Sequence, residues 1–264
     1  MTNIKAVFFD VDGTLTCISN KKIPESTFQA LEKLHEKGIK TFICSGRHLL
    51  DIKHLNLPPF DGYIAINGAC CVVNDKVIYK NTIPSEDIER LIEWQCGPNK
   101  FPCILETEDG VYLNFINENV EIIQQHIDIR TPKMCTFDEW SAMARTGIEQ
   151  MLCFFGPEHD EKIIREVLPG CTTQRWCDFF SDVIAAGSDK AKGIDIIADH
   201  FGFKIEETMA FGDGGNDISM LSHAGIGVAM GDADENVKAA ADYITESVEN
   251  DGILKALCKF GVLS

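Results

Sequence analysis

From Ile4 to Phe9 the chain is apolar without clean alternation, and the run stops at Asp10. A strand with one wet face alternates polar and apolar residues, whereas a strand buried on both faces of a parallel sheet does not. The run therefore predicts an inner parallel strand, and a parallel neighbour requires a crossover, usually helical. The crossover follows. Pro24 and Glu25 suit a first helical turn, Phe28, Leu31 and Leu34 recur near helical spacing, Gly38 supplies the stop, and a second strand is expected from Lys40 to Cys44. A third strand is expected from Asp61 to Ile66, then a hairpin of Cys70 to Val73 and Val77 to Tyr79 around Asn74-Asp75.

The rhythm changes near Thr82. A helix carrying Ile88, Leu91 and Ile92, paired strands around the Asp109-Gly110 turn, and a helix from Asn119 to Ile129 are expected. A strand from Gln150 to Phe155, a helix from Glu158 to Leu168, and strands at Cys171 to Trp176 and Phe179 to Ala185 complete the segment, which reads as an α+β module. After Gly187 the β-α rhythm returns: a helix with Ile194, Ile197, Ala198 and Phe201 on one face, a strand from Thr208 to Phe211, and short strands at Ile226 to Ala229 and Tyr243 to Thr245. Helices near Glu235 to Ala240 and Ile253 to Phe260 alternate with them. The expected fold is α/β: a doubly wound, Rossmann-like parallel sheet over 1–81 and 186–264, with an α+β cap inserted at 82–185.

At 264 residues and 45% apolar content the chain can bury the cores of two such domains. Lysine plus arginine number 24 against 41 acidic residues, a formal charge of -17, and this field repels nucleic acid and anionic lipid. A small phosphorylated metabolite is an anion too, so a site for one must carry its own local positive charge. The 11 cysteines are an odd set with no C-x-x-C pair, set in apolar surroundings as at Cys44, Cys70, Cys71 and Cys153, and read as reduced hydrophobes of a cytoplasmic protein. The apolar run after Met1 to Lys5 is too short for a signal-peptide core, and no run of about 18 apolar residues suggests a membrane span.

In an open parallel sheet the ligand crevice lies beyond the carboxyl ends of the strands. After the first strand comes Asp10-Val11-Asp12-Gly13-Thr14. Two carboxylates so spaced can divide the labour, one ionised as nucleophile and metal ligand, the other keeping a proton near neutral pH if like charge raises it. The plain alternative is a solvated Asp-Gly turn. After the second strand, Ser45-Gly46-Arg47 could hold a phosphate oxygen or be an N-cap serine followed by a salt-bridging arginine. Lys190 could place an ammonium over the nucleophile, with Lys192 its rival; a cation at a helix start is disfavoured unless an anion compensates it. After Phe211, Gly212-Asp213-Gly214-Gly215-Asn216-Asp217 is a glycine-rich turn whose acids suit a hard cation better than a polyphosphate.

The order of these four elements resembles the haloacid dehalogenase superfamily of phosphohydrolases: Asp10 to Thr14 its first motif, Ser45 its second, Lys190 its third and Gly212 to Asp217 its fourth. The place of the insertion, and Ile66-Asn67-Gly68-Ala69, resemble the Cof-like subfamily with a mobile cap. The resemblance implies Asp10 as nucleophile and Mg2+ ligand, and Asp12 as acid/base that also binds Mg2+ through its carbonyl. It implies Asp213 and Asp217 as further metal carboxylates, Asp217 either as ligand or as outer support, with Thr14, Ser45, Gly46, Lys190 and Asn216 holding the phosphoryl group. Asp189, where the subfamily more often has an uncharged residue, leaves the orientation of Lys190 open.

The resemblance thus implies a Mg2+-dependent phosphatase of small phosphate monoesters, sugar phosphates foremost. Other readings are a phosphomutase, a phosphatase for nucleotide or vitamin phosphates, and a non-catalytic metabolite sensor, against which the presence of both Asp10 and Asp12 argues. Asp182 could reach sugar hydroxyls or be a solvated strand acid, while Trp176, Phe179 and Phe180 are expected to pack. The expected partner is a small phosphorylated metabolite, with no nucleic acid and no membrane, and the chain is expected to be a monomer or weak homo-oligomer. H-E-x-x-H and Gly-x-Ser-x-Gly are both missing, which leaves zinc hydrolase and serine esterase readings without support.

Overall fold

The computed structural model describes residues 3–55, 57–126 and 130–264. The chain divides into two compact units, one of residues 1–80 and 189–264, the other of residues 81–188. The second unit is a few residues wider than the expected insertion. Its two ends are tied within it, since Asn81 Nδ2 donates to Ala186 O at 3.2 Å and to Ser188 Oγ at 2.9 Å.

The first unit is built on a sheet with the strand order Tyr243–Ile244, Ile226–Ala229, Thr208–Gly212, Ala6–Phe9, Lys40–Cys44, Gly62–Ala65, Cys70–Val73, Lys76–Lys80. The first six run parallel, and the last two join as an antiparallel hairpin. Asn74 and Asp75, at φ of 50° and 58°, make the hairpin turn, a conformation that Asn and Asp tolerate better than other side chains. All four residues of Ala6–Phe9 are fully buried, which accounts for the lack of alternation in that run. On one face Phe8, Phe42, Ile64 and Ala210 pack with Ile194 and Ile197 of the helix Lys190–Phe201 and with Met220 and Leu221 of the helix Ile218–His223. The helix Glu25–Glu36 buries Ala30, Leu31 and Leu34, and the helix Gly252–Lys259 packs against it. Strand order reverses at Ala6–Phe9, whose neighbours are Lys40–Cys44 on one side and Thr208–Gly212 on the other. That is the switch point where ligand crevices open in doubly wound sheets.

The second unit has a six-stranded sheet in the order Cys171–Cys177, Phe180–Ala185, Gln150–Cys153, Cys103–Glu106, Val111–Leu113, Lys133–Met134. One face is dry: Cys103, Leu105, Met151, Cys153 and Val183 pack beneath the helices Ser85–Gln95, Phe137–Ala144 and Asp160–Glu166, with the fully buried Trp140 donating to Cys103 O at 3.1 Å. The opposite face carries Ile104, Leu113, Leu152 and Phe180 with Val120 and Ile123 of the helix Glu118–His126. Asp87 is buried and holds the unit together by accepting from Gly170 N at 2.6 Å and from Arg90.

Several local expectations differ. The helix Phe137–Ala144 was not foreseen, although Thr136 and Glu139 form a complete capping box before it. The helices Leu49–His54 and Ile218–His223 were missed too; with six residues each they show too little periodicity. Phe180 packs as expected, but Phe179 is 38% exposed at the hairpin turn. The expected end, at Ile129, of the helix from Asn119 and the Trp176 side chain lie outside the described residues. No helix among the described residues is long and apolar enough to cross a membrane.

Candidate active site

Sheet register brings the motifs together. Phe9 pairs with Phe211 and with Ile43, and Cys44 pairs with Ile64, so the chain segments after all four strands emerge side by side. Asp10 N–H donates to Phe211 O at 3.0 Å, which sets Asp10 beside the Gly212 to Asp217 turn. Gly13 closes the first loop at φ 87°, and a Cβ there would overlap the Asp213 carboxylate, so glycine is required on two counts.

Lys190 is 1% exposed and is the first residue of its helix. Asp189 caps that helix by accepting from Lys192 N–H at 2.7 Å, which resolves the question its charge posed: Asp189 turns to the backbone and leaves Lys190 to the site. The ammonium donates to Asp10 Oδ1 at 2.6 Å and to Asp217 Oδ1, and these anions offset the unfavourable helix dipole. Lys192, the rival, is not in the cluster.

Carboxylate oxygens of Asp10, Asp213 and Asp217 lie within 4.8 Å of one another. The oxygens of these three residues are differently committed. Both of Asp217 are taken, Oδ1 by Lys190 and Oδ2 by the N–H groups of Asp213 and Gly214 at 2.9 and 2.8 Å. Asp10 gives one oxygen to Lys190 and Asp213 gives one to the Thr14 hydroxyl, at 2.7 Å, while the second oxygen of each accepts no hydrogen bond among the described residues. Thr14, expected among the phosphate-holding groups, is fully buried and spends its only proton on Asp213. That bond orients the Asp213 carboxylate.

Burial pushes the Asp10 carboxyl up; the Lys190 charge opposes this, but Asp217 and Asp213 leave it well above the usual carboxylate range. Burial lifts Asp213 to about 6 despite the Thr14 hydrogen bond, with Asp217 adding to the rise. Burial would lower Lys190, but the charges of Asp10 and Asp217 hold it above its ordinary value, so it is an ammonium. Asp12 departs from expectation. Arg47 grips it with Nε on Oδ2 at 2.7 Å and Nη2 on Oδ1 at 2.9 Å, and Lys21 adds a contact at 3.3 Å. Burial alone would raise Asp12, but the Arg47 hydrogen bonds and charge, helped by Lys21, bring it below the usual range. The raised member of the pair is therefore Asp10, because the positive partner of Asp12 lies 35 residues along the chain. Arg47 turns out to be a salt-bridging arginine, as one reading of its tripeptide held.

Ser45 is buried, its N–H bonded to Ile64 O at 2.8 Å and its Oγ accepting from Arg47 N–H at 3.2 Å. Asn216 is exposed, and its Nδ2 donates to Asn67 Oδ1 at 2.9 Å. The motif reading assigned Asn67 no role in the site. Its turn is strained: Ile66, Asn67 and Gly68 have φ of 52°, 48° and 93°. For a β-branched residue such as Ile66 this conformation costs about 1–3 kcal/mol and persists only where surrounding structure imposes it.

The donor set is all oxygen, and three carboxylates face one ammonium. This suits a hard cation such as Mg2+, which takes one or two carboxylates, a carbonyl and waters. A family model of haloacid dehalogenase-like hydrolases matches residues 7–257. YkrA of Bacillus subtilis is 33% identical over 262 residues, covering 98% of each chain. The solved structure of BT1666 from Bacteroides thetaiotaomicron, described as a phosphatase of this superfamily, superposes with a TM-score of 0.90 at 40% identity, covering 98% of this chain and 96% of that one. That of BT4131, described as a subclass IIB sugar phosphatase, superposes with a TM-score of 0.84 at 44% identity over 98% and 100%. With buried acids and a buried lysine gathered at the switch point of such a sheet, the chain belongs to the haloacid dehalogenase-like hydrolases and is an enzyme of their phosphatase type.

Proposed function

We propose that the enzyme is a Mg2+-dependent phosphatase of small phosphate monoesters, sugar phosphates foremost, that works through an aspartyl phosphate on Asp10. The observation that carries this reading is the buried Lys190 ammonium bonded to Asp10 and Asp217, with Asp213 within 4.8 Å. An ammonium so placed holds a carboxylate and a phosphoryl oxygen against each other, and the unbonded oxygens of Asp10 and Asp213 are open to a cation. Asp10, Asp213 and the Asp12 carbonyl would hold Mg2+, with Asp217 as support because both its oxygens are engaged. Bound there, the ion would supply charge neutralisation worth several kcal/mol.

Asp10 attacks phosphorus, the bond to the leaving oxygen breaks, and that oxygen takes a proton from Asp12. Water then attacks the phosphorus of the aspartyl phosphate, gives its proton to Asp12, and the Asp10 carboxylate departs. The sum is ester plus water giving alcohol plus inorganic phosphate. Arg47 keeps Asp12 ionised, the form that accepts the proton of water; donating to the leaving group requires Asp12 to come free of Arg47. Ser45, Gly46 and Asn216 would hold the remaining phosphoryl oxygens.

The inserted unit would contact the leaving group. Its second sheet face places Gln174, Asp182 and Leu152 in one row and Gln150 beside Glu106 in the next. Gln150 is buried, and its Oε1 accepts no hydrogen bond. Glu106 is paired with Arg130 at 3.8 Å, so the polar groups this face would offer to sugar hydroxyls are Gln150, Gln174 and Asp182, and BT4131 is described as a sugar phosphatase.

A panel of phosphate monoesters, assayed for released phosphate with and without Mg2+ on wild type and Asp10→Asn, tests the reading. Mg2+-dependent release that Asp10→Asn abolishes is expected. An isomeric ester without free phosphate would mean a mutase, and no turnover with retained phosphate binding a sensor.

A further inference from the structure

We propose that Asn67 is a positioning residue of the phosphoryl site, acting through Asn216; this rests on the phosphatase reading above. Asn67 is 2% exposed, and its side-chain carbonyl accepts from Asn216 Nδ2 at 2.9 Å. A primary amide has two N–H groups. With one committed to Asn67, the orientation of the Asn216 amide is set and the other is left for a phosphoryl oxygen.

The same turn grips the second motif. Asn67 N–H donates to Ser45 O and Ile66 N–H to Arg47 O, each at 3.0 Å. A Cβ at Gly46 would lie 3.0 Å from Asn67 Nδ2 and 3.4 Å from Asn216 Nδ2, so the Gly46 backbone sits directly against both amides. On its far side, Gly68 packs so closely on the Asp189 carbonyl that a Cβ would overlap it. Asp189 is the cap of the helix that starts at Lys190. Residues 66–68 thus touch the Ser45 loop, the Asn216 loop and the cap before Lys190. Of these three consecutive residues with positive φ, the buried Ile66 is held in a conformation that its own branched side chain disfavours. Asparagine meets both requirements at position 67: it tolerates that backbone, and it offers a neutral acceptor where a carboxylate would repel the substrate dianion.

The test is a double-mutant cycle on 4-nitrophenyl phosphate turnover, and on inorganic phosphate affinity by calorimetry in Mg2+. Asn67→Gly keeps the left-handed backbone and loses only the acceptor. It should lower kcat/KM and phosphate affinity about tenfold, as loss of one orienting hydrogen bond does. Asn216→Ala should do the same, and the double variant should match Asn216→Ala within about twofold, since interacting residues do not add. A role confined to folding would instead give losses that multiply, and that result, or wild-type behaviour of Asn67→Gly, overturns the proposal. Should Asn67→Gly fail to fold, Asn67→Asp keeps both acceptor and backbone; it should raise KM with kcat retained, and an unchanged KM overturns the proposal. Wild-type protein that neither hydrolyses esters nor binds phosphate refutes the phosphatase reading and this proposal with it. An active wild type with multiplicative losses refutes this proposal alone.

Discussion

Replacing Lys190 by methionine keeps the length of the side chain and deletes its charge. In the wild type the ammonium is 1% exposed and serves Asp10 and Asp217, the latter with no exposed surface at all. Removing one partner from a buried ion pair leaves the other charge uncompensated, at a cost of about 3–5 kcal/mol. For a unit of roughly 150 residues that corresponds to a fall in melting temperature on the order of 10 °C. Asp10→Asn runs the other way. The fold already disfavours the ionised form of Asp10, so neutralising it relieves repulsion from Asp213 and Asp217, and the metal-free protein should melt at the wild-type temperature or above while losing all turnover. The pH dependence follows from the same shifts. A carboxyl raised in the fold favours the folded state while protonated, and that advantage is lost as pH rises through its folded value. The charges that Lys190→Met leaves unpaired belong to a cluster in which Asp10 is raised and Asp213 is lifted to about 6, so the deficit should be larger at about pH 7.5 and shrink toward about pH 5 as the cluster takes up protons. Scanning calorimetry in chelator at both pH values is the assay. A melting temperature within about 2 °C of wild type near neutral pH, or a deficit that grows on acidification, would refute the account of the cluster.

Three further outcomes are expected. Asp12→Asn should reduce turnover by about 10²–10⁴ and slow both half-reactions; normal dephosphorylation of a preformed phosphoenzyme would deny Asp12 its part in the second. Mg2+ affinity should weaken about tenfold per pH unit below about 6, as Asp213 takes up the proton that competes with the ion; titration calorimetry showing a pH-independent affinity would remove Asp213 from the site. Gly13→Ala forces a side chain into left-handed backbone and onto the Asp213 carboxylate, and should cost about 1–3 kcal/mol and blunt stabilisation by Mg2+; unchanged melting with and without Mg2+ would show that the loop accommodates it.

The parallel strands were legible because burial on both faces leaves a plain mark: Ala6–Phe9 is wholly apolar and Lys40–Cys44 ends in Phe-Ile-Cys, and the chemistry-bearing residues follow directly after such runs. Capping chemistry was also present before the helix Phe137–Ala144, as Thr136-Phe137-Asp138-Glu139, and a search for that signature would have found it. What local pattern does not encode is long-range pairing. Arg47 reaches Asp12 across 35 positions and reverses the expected titration of the aspartate pair, and Asn216 reaches Asn67 across 149. Thr14 could be recognised as a motif hydroxyl, but not that its proton belongs to Asp213, 199 residues away.

The Asn81 to Ser188 hydrogen bond closes the inserted unit into a loop whose ends meet. Every residue of the acidic cluster and its lysine lies outside that loop. A segment stapled at its base can be lengthened, trimmed or exchanged for another without altering the spacing among Asp10, Lys190 and Asp213. Under the proposed function, new leaving groups would then be recruited by swapping one removable module, while the residues that act on phosphorus are inherited intact.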